Sequence, residues 1–86
     1  MTRHQMVSLF RRAAVPDHFY VMDGGLGTGE CYGLEATASG WQVYYSERGG
    51  KSLLGAYPDE DAACRALIGH VEVMMRQHGR GAIGQP

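Results

Sequence analysis

Trp41-Gln42-Val43-Tyr44-Tyr45-Ser46-Glu47-Arg48-Gly49-Gly50 is the stretch whose reading decides the fold class. Aromatic and β-branched residues suit a pleated, half-buried surface. Period-two alternation then places Trp41, Val43 and Tyr45 on one face and Gln42, Tyr44 and Ser46 on the other. The stretch reads as a strand with a core side and a side able to meet another molecule. Glu47, Arg48 and the two glycines shape its exit.

Working outward, Ala38-Ser39-Gly40 separates this strand from the strand-like run Glu30–Thr37, so the two are expected to pair as an antiparallel hairpin. Lys51–Tyr57, beyond Gly49-Gly50, supplies a further strand by the same logic. Upstream, His18–Met22 reads as a brief first strand. The glycines of Gly24–Gly29 then read as a flexible hairpin connection. A phosphate-cradling loop would need a particular glycine spacing and a helix start directly after it, so that amide donors face the anion. Neither condition holds, because the sequence runs on into the strand from Glu30.

Two helices bracket the strands. Thr2 followed by Gln5 fits a capping box, and Met6, Leu9, Phe10 and Ala13 recur at helical spacing until Pro16 disfavours helix at Val15. Pro58-Asp59-Glu60-Asp61 opens the second helix with Asp59 as N-cap and acidic groups at the positive end of the dipole. Its apolar stripe is Cys64, Leu67, Ile68, Val71, Met74 and Met75, and Gly79 is its natural stop. Gly69, inside that helix, is expected to permit close approach of another element. The chain is thus expected to be α+β, a single domain over residues 1–79 with a flexible tail over 80–86. A three- or four-stranded antiparallel sheet would carry the N-terminal helix and the long C-terminal helix.

Composition narrows the function classes. With 44% hydrophobic and 20% charged residues the chain has the makings of a globular core, and no run approaches the ~20 apolar residues of a membrane span. No secretory-type apolar segment follows the basic N-terminal residues, so a cytoplasmic protein is expected. The net charge of −1 is unevenly spread. Residues 1–16 carry Arg3, Arg11 and Arg12 and no acid, whereas residues 17–61 hold eight acids against Arg48 and Lys51. An acidic sheet region disfavours nucleic acid and suits a basic protein partner.

Catalytic and metal chemistry find little footing. His4, His18, His70 and His78 are spaced too far apart to share an ion, and no Cys or His partner completes a site. Cys31 and Cys64 lack an activating base and read as reduced, buried, small hydrophobes. Met74-Met75 reads as adaptable core filling. No enzyme activity, cofactor or metal is expected.

The combination of Val15-Pro16 before Tyr20, Gly24-Gly25, the Tyr44-Tyr45-Ser46-Glu47-Arg48-Gly49 run, and Tyr57 and Glu60 before Ala62-Ala63-Cys64 resembles small bacterial immunity proteins of polymorphic-toxin and contact-dependent-inhibition systems. The resemblance covers about Val15 to Leu67. It implies a compact α+β protein that binds and blocks a cognate toxin domain. Together with the charge distribution it nominates Asp23, Glu30, Glu35, Tyr44, Glu47 and Arg48 as partner-binding residues, the carboxylates complementing a basic, nuclease-like cleft. The competing expectation is a homodimeric structural or regulatory module that pairs an exposed strand edge or buries the Tyr44 face.

Overall fold

A computed structural model describes residues 1–25 and 29–79 of the chain. The elements are α1 (Arg3–Arg12), a 3₁₀ turn (Asp17–Phe19), β1 (Tyr20–Met22), β2 (Cys31–Thr37), β3 (Gly40–Glu47), β4 (Gly50–Tyr57) and α2 (Glu60–Gln77). The strands form one sheet in the order β1-β2-β3-β4. The expected tail over 80–86 lies outside the described residues, as do positions 26–28 of the glycine-rich connection.

The central hairpin forms as its sequence predicts, with Thr37 paired to Gly40 across the Ala38-Ser39 turn and Cys31 reaching Ser46 at the far end. β3 and β4 are joined by Arg48-Gly49, with φ of 53° and 78°. Positive φ at both central residues is the requirement of a type I′ turn, whose twist matches that of the flanking strands. Arg48 therefore has a backbone task in the hairpin besides any task of its side chain.

The sheet is not purely antiparallel. β1 runs parallel to β2, with Tyr20 opposite Tyr32 and Met22 opposite Leu34. The glycine-rich segment between them is therefore a return connection between parallel neighbours rather than a hairpin. β1 is also shorter than its sequence suggests, because His18 and Phe19 are taken into the 3₁₀ turn.

Both helices lie against one face. α1 starts with the full capping box: Gln5 N–H donates to Thr2 Oγ1 at 3.2 Å and Thr2 N–H to Gln5 Oε1 at 2.7 Å. It stops before Val15 is reached, because Ala14 turns left-handed at φ 57°. Val15 N–H then bonds back to Phe10 O and Ala14 N–H to Arg11 O, a Schellman closure with Val15 buried beside it. α2 is capped by Asp59, whose carboxylate accepts from Ala62 N–H at 2.8 Å, and ends as Gly79 enters the left-handed region. The stripe from Cys64 to Met75 is buried, and with Met6, Leu9, Phe10, Leu34 and Val43 it forms the main core.

Gly69 departs from expectation. It is exposed, and a Cβ added there meets nothing within 4 Å, so no neighbouring element requires it. Gly in an exposed helix interior costs about 0.5–1 kcal/mol relative to Ala. Gly69→Ala should raise stability by about that much, read as a higher urea midpoint at unchanged slope.

Candidate functional site

Parity along β3 correctly separates its two faces, but the expected exposure of Tyr44 is overturned. Val43 and Trp41 pack towards the helices, and Tyr45 lies on the same side, its ring 5.3 Å from that of Tyr32. Tyr44 points to the opposite side and is nonetheless fully buried, at 0% exposure. Its ring lies flat over Gly33 on β2, and its hydroxyl donates to Gly25 O at 2.8 Å. The Gly24-Gly25 turn thus lies across the second face of the sheet. Cys31 and Ser46, paired across the strands and both buried, extend this small second layer. An interface built on an exposed Tyr44 face is therefore not available in this structure.

The nominated carboxylates do not share one surface. Glu35 lies beside Tyr44, accepts from the Gln42 amide, and has both oxygens 3.3 Å from Lys51 Nζ. Lys51 in turn sits 4.6 Å from the Tyr44 ring centroid. Glu35 and Lys51 close the edge of the second layer. Asp23 pairs with Arg3 of α1 at 3.4 Å and takes a left-handed backbone at φ 59°. Glu47 lies on the helix side of the sheet, where it accepts from the Tyr45 hydroxyl at 2.9 Å. Arg48 Nε is 3.8 Å from Glu47, and the Arg48 side chain is 92% exposed. Glu30 is exposed and has no ion-pair partner among the described residues.

Two features come together where sequence reading did not look. The first is the free edge of β4. This outermost strand is eight residues long, carries Lys51 as its only charge, and has Leu53 61% and Leu54 43% exposed. A register shift opposite Val43 and Tyr44 leaves Leu54 without a cross-strand partner. The second is a groove of about 430 Å³ between β4 and the later part of α2. Tyr32, Tyr45, Leu54, His70 and Met74 line it, with Glu30 at its border. His70 stacks on Tyr32 at 5.2 Å with the planes 16° apart. The adjacency Leu53-Leu54 breaks strand alternation but does not by itself mark an edge. The Tyr32–Tyr45 pairing follows from the hairpin register.

No helix of the described residues is long and apolar enough to cross a membrane, and no three His, Cys, Asp or Glu side chains among them are grouped to hold a metal ion. Cys31 and Cys64 are both buried and unpaired, and burial pushes the Cys64 thiol up to about 11, assisted by the Glu60 carboxylate. Comparison with protein families, with curated proteins and with solved structures returned no match to this chain. The surfaces are therefore weighed on their own chemistry.

The phenols carry a testable electrostatic signature. Burial, then Glu35, pushes Tyr44 up to about 12, while desolvation and the hydrogen bond to Glu47 push Tyr45 to about 12, both from 10.0. The folded chain holds these protons more tightly than the unfolded chain does. Their stabilising effect is complete below the unfolded value and is lost as pH rises towards the folded one. Cys64 acts in the same sense, from 9.0 to about 11. The urea midpoint should hold through neutral pH, begin to fall above pH 9 and fall faster above pH 10, with a shallower fall in Tyr44→Phe. A flat midpoint across that range would contradict these environments.

Proposed function

We propose that this chain is a protein-binding module that acts by binding rather than by catalysis and takes an extended segment of its partner onto the free edge of β4. The observation that carries the reading is that edge. It is an eight-residue outermost strand whose backbone donors and acceptors at alternate residues face away from β3, with two adjacent exposed leucines and a single charge at one end. Backbone donors and acceptors on an open edge are a template for another strand, and natural proteins usually blunt such edges with charge, proline, a bulge or cover. Along Ser52–Tyr57 β4 carries neither charge nor proline, and its one interruption is the register shift at Leu54. The resemblance of the Tyr44–Gly49 run to immunity proteins supplies the kind of partner, a toxin domain blocked by occlusion. The acidic groups Glu30 and Glu47, on the same side as the groove, agree with a basic partner surface.

A photo-crosslinking residue at position 53, with position 69 on the exposed side of α2 as the comparison, tests this in the native cell. The expected result is a discrete protein adduct at 53 and none at 69, identified by mass spectrometry. Adducts at 69 alone, or at neither position, would count against β4 as the binding edge.

One observation favours a second reading, a homodimer through the same edge. Two-fold antiparallel pairing centred on Leu53 sets Lys51 opposite Gly55 of the second copy, so the lysines do not meet. Sedimentation of the purified chain distinguishes the two. A concentration-dependent dimer, with a crosslinked species of twice the chain mass, would favour the homodimer.

A further inference from the structure

The groove beside β4 has a chemistry that the edge alone does not use. We propose that it is a subsite for a basic side chain, Lys or Arg, of the protein bound at β4. The inference rests on the β4 reading, since Ser52 and Leu54 of that strand form part of the groove wall.

Three observations converge on a cation. Tyr32 and Tyr45 place two rings with centroids 5.3 Å apart in the lining; His70 stacks on one face of Tyr32, and the Tyr45 ring beside them attracts ammonium and guanidinium groups through its quadrupole. The Tyr45 hydroxyl donates its proton to Glu47 at 2.9 Å, so its oxygen lone pairs are left to accept from an incoming N–H. Glu30 stands in the lining with no ion-pair partner among the described residues, and no Lys or Arg among the described residues lines the groove. Glu47 is contacted by Arg48 at 3.8 Å, but the Arg48 side chain extends into solvent at 92% exposure. Leu54 and Met74 offer apolar surface for the methylene stem of a long basic side chain, leaving its charged head beside the rings and Glu30. An anionic group would meet the Glu30 carboxylate with no Lys or Arg among the described lining residues to offset it. A purely apolar group would strip water from Glu30 without compensation.

Nuclear magnetic resonance titration of the full chain with Nα-acetyl-lysine N-methylamide, its arginine counterpart and its norleucine counterpart tests the assignment. The Met74 methyl and the Tyr45 ring serve as reporters. The two cationic probes are expected to give saturating shifts at these reporters with affinities on the order of millimolar. The norleucine probe, which has the stem without the charge, should bind at least about fivefold more weakly. Glu30→Gln should weaken the lysine probe about threefold or more while leaving the norleucine probe unchanged. Equal binding by the norleucine probe, insensitivity to Glu30→Gln, or shifts confined to residues outside the groove would overturn the proposal. The titration needs no strand partner. A failed crosslink at position 53 beside a successful titration removes the β4 reading alone, and a flat titration beside a successful crosslink removes the groove alone.

Discussion

Gly33→Ala is expected to lower stability by about 2–3 kcal/mol, and Gly33→Val by more, because the new side chain must enter the space of the Tyr44 ring. A Cβ built on Gly33 falls within that ring, and the ring is held from three sides. Its hydroxyl is bonded to Gly25 O, Lys51 lies 4.6 Å from its centroid, and Glu35 flanks it. The plug cannot swing away without breaking the contact that holds the Gly24-Gly25 turn on the sheet. Gly24 is itself constrained there, at φ 81° and with no room for a Cβ beside the Glu35 carboxylate. For a chain of this length total stability is on the order of 5–10 kcal/mol, so the loss would show as a large drop in urea midpoint. A double-mutant cycle isolates the cause. In a Tyr44→Ala background the cost of Gly33→Ala should shrink to about 0.5 kcal/mol or less, whereas in Tyr44→Phe, which keeps the ring, it should persist. Equal costs in all three backgrounds would contradict the placement of Tyr44 over Gly33.

The second large effect concerns association. Leu53→Lys combined with Leu54→Lys should reduce affinity for the partner captured at β4 by about 100-fold or more, equivalent to about 2.7 kcal/mol. Two lysines on an open edge remove the apolar contact of an added strand and leave charges that strand pairing would have to desolvate. The free chain should be nearly indifferent. Both leucines are substantially exposed, and surface changes of this kind usually shift stability by about 0.5 kcal/mol or less. Loss of binding with an unchanged urea midpoint is therefore the expected pair of results. Unchanged binding would remove β4 from the interface, and a collapsed midpoint would show that the leucines are structural.

The local signals in the sequence were sound wherever they rested on short-range chemistry. The Thr2–Gln5 capping box, the Asp59 cap, the Cys64–Met75 stripe and the Ala38-Ser39 turn all appear where their residue types place them. Misreadings arose where tertiary placement overrides a local rule. Parity assigned Tyr44 to the face away from the helices, correctly, but not that a glycine turn would cover that face. The hint was Gly33 in mid-strand, since glycine there often marks a close approach. Reading Gly24–Gly29 as a hairpin connection makes β1 antiparallel to β2; the pairing is parallel although fewer residues separate Met22 from Cys31 than the dozen or more such a crossover normally takes. The acidic surface dissolved because charge along a chain does not say which carboxylates will find partners. Glu35 and Asp23 are held by Lys51 and Arg3, and Glu47 by the Tyr45 hydroxyl and Arg48, leaving Glu30 in the groove without an ion-pair partner among the described residues.

Leu53 and Leu54 show the limit most clearly. Adjacent leucines in a strand would ordinarily be read as buried, yet as edge residues beside a register shift they are exposed. Edge position depends on strand order, which composition and periodicity do not encode.

Amide hydrogen exchange, measured residue by residue on the chain alone and in complex with the protein crosslinked at position 53, tests the role of β4 most directly. In the free chain the β4 amides not bonded to β3 should exchange rapidly, and in the complex they should become protected as a group, with α1 and the exposed side of α2 unchanged. Protection that appears on α1 or α2 while β4 remains open would contradict the account.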